Sequence, residues 1–235
     1  GIRAEYETAK TPMVISGCIG PRGDGYNPAE FMPAAEARLY HTAQMNTFGD
    51  NGAERLAVYA NGVWTGSAGS GSAIVNAPIY VIAATVEQGV PVFYASGPFT
   101  AAAGAANAHR IARWNGLHFE SLGAGLNEPA AVILPRDDGL YVGGLFTQAG
   151  GAEADYIARW NGASWENFAP GLGSEVFDMR FHDFGQGERL VVGGFVEQSK
   201  GPALNHVAFW DGGSWQPLGD GVSASAVLLP NATGT

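Results

Sequence analysis

One short pattern returns along this chain and limits what it can fold into. An aromatic residue precedes Asn-Gly or Asp-Gly, and a second aromatic follows a few residues on. It reads Trp114-Asn115-Gly116 with Phe119, Trp160-Asn161-Gly162 with Trp165, and Trp210-Asp211-Gly212 with Trp215. A looser copy is Ala60-Asn61-Gly62 with Trp64. Successive copies lie 54, 46 and 50 residues apart, a spacing that matches the period of propeller blades.

Two further landmarks keep the same order. Upstream, a strand-like run ends in small residues and an apolar one: Tyr141-Val142-Gly143-Gly144-Leu145-Phe146 and Val191-Val192-Gly193-Gly194-Phe195. Looser copies are Phe93-Tyr94-Ala95-Ser96-Gly97-Pro98-Phe99 and Met13-Val14-Ile15-Ser16-Gly17-Cys18-Ile19. Downstream come Leu122-Gly123-Ala124-Gly125-Leu126, Phe168-Ala169-Pro170-Gly171-Leu172 and Leu218-Gly219-Asp220-Gly221-Val222. Asn-Gly and Asp-Gly accept positive φ at both central turn positions, so the expected turn is a type I′ hairpin. Ile157 to Trp160 and Ala163 to Phe168 are then antiparallel neighbours. Glycine inside a strand is costly unless another backbone comes close, and strands converging on a propeller axis supply that reason for Gly143-Gly144 and Gly193-Gly194. The tryptophans read as packing between adjacent blades, with an aromatic platform for sugars as the alternative.

The pattern Ile-Ala-Arg-Trp-Asn-Gly, then Ser-Trp, Leu-Gly and Gly-Gly-x-Phe, resembles the kelch-like propeller repeats of large secreted or surface proteins in bacteria. It is also similar to the repeats of fungal cortical cell-polarity markers. The match is clearest over residues 91–222. The resemblance implies an all-β fold, a β-propeller of four-stranded antiparallel blades, and a place outside the cell or at its surface. It implies no active-site residues.

The expected units are about 1–71, 72–125, 126–172 and 173–221, in a single propeller domain or propeller fragment over 1–235. A partial unit, 222–235, brings one orphan strand: Ala226-Val227-Leu228-Leu229-Pro230 echoes Ala131-Val132-Ile133-Leu134-Pro135. That strand either completes the first blade and closes a ring of about four blades, or begins the next blade of a longer propeller. The first unit carries an insertion of roughly Gly20 to Gly52. Within it Asn27-Pro28-Ala29-Glu30 has the caps of a short helical turn. Long excursions from a repeat scaffold often carry function, so Arg22, Asp24, Tyr26, Asn27, Phe31, Tyr40 and His41 form the expected interaction loop.

Composition narrows the function classes. Only 14% of residues are charged, against about 25% in an ordinary globular chain. The 35 glycines suit many tight turns. A formal charge of −10 repels phosphate backbones and argues against nucleic acid as a partner. The one cysteine, Cys18, excludes an intramolecular disulfide and reads as a small core residue. No apolar run reaches the about 18 residues of a membrane helix, and the chain opens at Gly1 without a visible leader.

Catalytic constellations are not expected. The five histidines, His41, His109, His118, His182 and His206, form no H-E-x-x-H pair, and no G-x-S-x-G elbow or Walker loop occurs. His109 and His206 fall just before a strand, at the repeat position read for Asp155. Asp137-Asp138-Gly139 reads as a turn, not as a glycosidase acid–base pair. Arg113 and Arg159 share a repeat position that Phe209 takes in the fourth unit, which weakens any anion-binding ring. Asp24, Asn27, Asp50 and Asn51 offer oxygen ligands of the kind calcium takes, at a spacing that fits no EF-hand; no other cofactor is implied. Arg22-Gly23-Asp24 spells an adhesion tripeptide, and Asn231-Ala232-Thr233 an acceptor sequon. The expectation is a non-enzymatic scaffold or binding module at the cell surface, contacting protein or glycan. The alternatives are a structural subunit of a larger assembly and a polysaccharide-acting hydrolase or lyase.

Overall fold

The structure, a computed structural model, describes residues 75–88, 90–115, 118–168, 171–196 and 203–223, together with the backbones of four earlier strands. Those strands are β1 (Met13–Ser16), β2 (Leu39–Thr42), β3 (Leu56–Ala60) and β4 (Val63–Gly66). The described residues are all β, turn and loop. They form two compact units, Gly1–Ser121 and Leu122–Thr235.

The first unit holds two four-stranded sheets. In one, the order is β1-β2-β3-β4. In the other, β5 (Val81–Glu87), β6 (Val90–Ser96), β7 (Ile111–Trp114) and β8 (Phe119–Ser121) form an antiparallel meander. Its core gathers Phe93, Trp114 and Phe119. Trp114 meets Phe119 edge-on at 5.1 Å, and Phe93 meets Phe119 at 5.8 Å. Val75, Ile79, Ile82 and Phe99 complete the buried cluster.

The sheet β1–β4 departs from the expected blade. β1 pairs with β2 in parallel, Met13 opposite Leu39. The run from Met13 therefore lies at the sheet edge instead of in the second-strand place. That place, beside β3, belongs to Leu39–Thr42, inside the segment read as an insertion. Parallel neighbours cannot be joined by a tight hairpin, which is why a local pattern does not reveal this pairing.

The second unit holds two more sheets. One is β9 (Ala130–Arg136), β10 (Gly139–Gly144), β13 (Ile157–Trp160) and β14 (Trp165–Asn167); between β10 and β13 lies a small hairpin, β11 (Gln148–Ala149) and β12 (Ala152–Glu153). The other is β15 (Val176–Asp183), β16 (Glu188–Gly194), β17 (Val207–Trp210) and β18 (Trp215–Pro217). Asp137 and Asp138 link β9 to β10, with Arg136 opposite Gly139, so the expected acidic turn is a turn. β15 packs across β9 and β10. The interface buries Tyr141, Ile157, Val176, Met179, Val192, Leu204 and Trp215, with Phe168 and Trp210 at its margin. Trp215 is 1% exposed and lies 6.0 Å from the Phe168 ring. This tryptophan pair joins neighbouring sheets, as expected. Trp160 and Trp165 are only half-buried; their rings meet at a tilt with centroids 5.4 Å apart, and the Trp165 indole N–H donates to the Leu122 carbonyl at 2.8 Å.

The paired glycines have a more local cause than an axis. A Cβ on Gly144 would sit 2.6 Å from Ala130 Cα and 2.7 Å from Pro129 O, atoms of the neighbouring strand of its own sheet, where the ladder bulges. A Cβ on Gly143 would sit 2.6 Å from Val176 Cγ1, which belongs to the next sheet. One glycine admits a bulge and the other admits a neighbouring sheet.

The turns differ from expectation too. Trp160 pairs with Trp165 and Trp210 with Trp215, so four residues, not two, cross each hairpin. Only the glycine has positive φ, 97° at Gly162 and 104° at Gly212. The Asn161 side chain does the remaining work: its Oδ1 accepts N–H bonds from Ala163 and Ser164 at 3.0 and 2.9 Å. Asp211 Oδ1 does the same for Gly213 and Ser214. Two successive positive φ values occur elsewhere, at Asp155-Tyr156 (45° and 74°) and Asn205-His206 (49° and 71°). There the Ile157 and Val207 amides close back on the carbonyls of Ala154 and Leu204, turning the chain into the third strand. This register corrects the alignment of histidines: His109 matches Asp155 and Asn205, whereas His206 matches Tyr156 and Arg110.

Candidate functional site

Three ladders place equivalent residues side by side across strands two, three and four: Tyr94, Arg113 and Glu120; Tyr141, Arg159 and Glu166; Val191, Phe209 and Gln216. In the first ladder the Arg113 guanidinium donates to Glu87 at 2.5 Å and to Glu120 at 2.6 Å, and the Tyr94 hydroxyl donates to Glu87 at 2.6 Å. Partial burial pushes the Glu87 carboxyl up, but the bonds from Arg113 and Tyr94 outweigh it and hold the group below its ordinary value. Burial, with Glu87 beside it, raises the Tyr94 phenol. In the second ladder Tyr141 donates to Asp138 at 2.7 Å, and Arg159 lies 3.7 Å from Asp138 and 3.6 Å from Glu166. In the third, the cation has moved along the strand: Arg189 stacks over the Phe209 ring at 5.3 Å.

These arginines therefore lie in ladders that bind their own sheets together. Arg113 and Arg159 do not face an open anion site, and Phe209 takes over their packing role. Arg136 extends the pattern between sheets of the second unit. It lies over the Phe181 ring at 4.0 Å and donates to Glu188 at 2.6 Å.

The opposite ends of the second strands differ in character. Each strand leaves its sheet through Gly-x-Phe or Gly-x-Val, and the middle residue is Pro98, Leu145 or Phe195. The backbone there is fixed: Leu145 N–H donates to Pro129 O at 3.2 Å and Phe195 N–H to Glu175 O at 3.0 Å. Two of these rims are clamped by an asparagine. Asn76 Oδ1 accepts from the amides of Thr100 and Ala101 while its Nδ2 donates to the Thr100 hydroxyl. Asn127 repeats this with Thr147 and Gln148. On that fixed backbone Leu145 and Phe195 are 48% and 46% exposed, and Phe195 meets Phe177 edge-on at 5.1 Å. Leu145 and the Phe195–Phe177 pair are the exposed apolar features of this rim.

Of the expected interaction loop, Arg22, Asp24, Tyr26, Asn27 and Phe31 lie outside the described residues, as do Asp50, Asn51, Cys18 and the strand 226–230. Tyr40 and His41 are consecutive in β2 and so belong to a sheet, not to a loop. Among the described residues there is no group of three His, Cys, Asp or Glu side chains placed to hold a metal, and no helix long and apolar enough to cross a membrane. His182 packs edge-on to Phe184 at 4.7 Å, and the His118 amide donates to Asn115 Oδ1.

Comparison with family descriptions, characterised proteins and solved structures produced no match to this chain. The site is thus argued from its residues alone. Sequence reasoning passed over the rim, although a signal was present: within a repeated frame of Gly-x-Phe or Gly-x-Val, the central residue changes from Pro to Leu to Phe.

Proposed function

We propose that this chain is a kelch-like β-propeller scaffold, acting outside the cell or at its surface without catalysis of its own, that presents rim residues to a protein or glycan partner. One observation carries the reading. The repeated polar side chains, Arg113 with Glu87 and Glu120, and Arg159 with Asp138 and Glu166, are engaged in holding sheets together. The rim residues Leu145 and Phe195, which differ from each other and from Pro98, stand exposed on hydrogen-bonded backbone. Polar groups engaged within the sheets and apolar groups exposed at the rim suit a binding scaffold. Phe195 with Phe177 offers an aromatic surface suited to a sugar face or an apolar peptide side chain.

The test is retention of the purified chain on panels of immobilised glycans and peptides, repeated with Leu145→Ala and Phe195→Ala. The expected result is binding by the native chain, loss of binding in at least one variant, unchanged Tm in both, and no product from the bound glycans. Product formation by the native chain would overturn the non-catalytic reading. Binding untouched by both variants would overturn the rim.

A further inference from the structure

The hairpin between β13 and β14 pairs an amide with an acid. Asn161 Nδ2 donates to Glu166 Oε1 at 2.6 Å and to Ser164 Oγ at 3.2 Å. The same pair recurs as Asn115 and Glu120 at 2.6 Å. In the hairpin between β17 and β18 the polarity is exchanged: the acid is Asp211, and the amide is Gln216, whose Nε2 donates to Asp211 Oδ2 at 2.9 Å. One hydrogen bond is kept while the two chemical groups trade places. An amide–amide pair would also be tolerated there; an acid–acid pair would set two carboxylates at hydrogen-bond distance.

Asn161 is also arranged as an electrophile. The next residue is Gly162, exposed, at φ 97°, with no atom within 4 Å of where a side chain would stand. Asn161 Oδ1 already accepts the amides of Ala163 and Ser164, two donors aimed at the oxygen on which negative charge develops when Cγ is attacked.

We propose that Asn161 is a site of spontaneous deamidation, and that the modification switches a stabilising amide–acid pair into a repulsive acid–acid pair. The Gly162 amide nitrogen loses its proton to solvent and bonds to Asn161 Cγ. Nδ2 takes a proton from solvent, the Cγ–Nδ2 bond breaks and ammonia leaves, closing a succinimide. Water then opens either imide carbonyl, leaving aspartate or isoaspartate. Aspartate puts a carboxylate against Glu166, whereas isoaspartate runs the backbone through Cγ, which removes the amide donor and lengthens the turn. The fourth sheet, with Asp211 and Gln216, already holds the arrangement that such a change cannot disturb.

The experiment incubates the folded chain at mildly alkaline pH and maps peptides by mass spectrometry, beside an unstructured peptide spanning 157–168. Conversion is expected at residue 161, with Asn127, Asn167 and Asn205 unchanged as internal comparisons. Asn161→Asp is expected to lower the folded-to-unfolded ratio about tenfold at pH 7, the scale of a lost charge-assisted hydrogen bond. Adding Glu166→Gln, which rebuilds the Asp211–Gln216 arrangement, should recover most of that loss. An intact Asn161 when the peptide has fully converted overturns the site. An Asn161→Asp chain of native stability, or one that Glu166→Gln does not rescue, overturns the switch.

Discussion

Substituting Gly143 by alanine tests how β10 meets the next sheet of the second unit. Gly143 has ordinary negative φ, so alanine fits its backbone conformation and the cost is steric. The new Cβ would lie 2.6 Å from Val176 Cγ1, 3.0 Å from Val176 Cβ and 3.1 Å from Val132 Cγ1. Overpacking of this kind costs about 1–3 kcal/mol, offset by up to about 1 kcal/mol because glycine is a poor strand residue. Val176 is 0% exposed. Its replacement by alanine removes two methyl groups, about 1.6 kcal/mol of transfer at ~0.8 kcal/mol each, and the cavity term brings the total to about 2–3 kcal/mol. Taking the net cost at Gly143 near the middle of its range, about 1–2 kcal/mol, independent sites would together lose about 3–5 kcal/mol in the double variant. Because the added methyl enters the space that Val176 vacates, the double variant should lose only about 2 kcal/mol, a favourable coupling of at least ~1 kcal/mol. Urea unfolding followed by tryptophan fluorescence reads all four corners of this cycle. Additivity within about 0.5 kcal/mol would refute the contact between β10 and β15.

Three further outcomes follow from the same geometry. Trp215→Ala should cost about 3–5 kcal/mol by urea unfolding, whereas Trp165→Phe, which keeps a ring and loses the bond to Leu122 O, should cost about 1 kcal/mol. Asn127→Ala should cost about 1–2 kcal/mol and raise hydrogen exchange at the Thr147 and Gln148 amides, leaving the β15–β18 sheet protected. Asp211, which accepts the backbone amides of Gly213 and Ser214, should titrate at about 2 by carboxyl NMR. Its folded pKa is depressed, so its contribution is present above the unfolded value of about 3.9 and is lost as pH falls through about 2.

Much of the fold was legible because the repeat writes the same strand pairings several times. Trp160 opposite Trp165 and Trp210 opposite Trp215 follow from aromatics flanking a turn, and one four-stranded sheet recurs with each repeat. The turn type was not legible. Asn-Gly admits both a two-residue loop, as between Ala60 and Val63, and a four-residue loop closed by the asparagine side chain. Sequence does not distinguish them, because the choice rests on where Oδ1 finds donors. The type I′ geometry fell instead on Asp155-Tyr156 and Asn205-His206, where no glycine announces it. Asp155 and Asn205 lie close against Gly171 and Gly221, neighbours that are distant in sequence and that no local pattern reveals. The parallel pairing of β1 with β2 was hidden for a related reason: only long-range pairing, not local pattern, sets it. The rim was missed because an exposed Leu145 or Phe195 has no local signature. It became visible only when three equivalent positions were compared and Leu145 and Phe195 proved exposed.

The proposed function rests on the proposal that successive sheets turn about one axis, and that arrangement can be measured directly. The hairpin positions His118, Ser164 and Ser214 are equivalent in three successive repeats. Spin labels placed there pairwise, in a chain with Cys18→Ser, give three distances by pulsed electron spin resonance. Successive sheets turning about one axis predict equal distances for 118–164 and 164–214, and a distance for 118–214 well short of their sum. Unequal steps, or a 118–214 distance equal to the sum, would contradict the propeller.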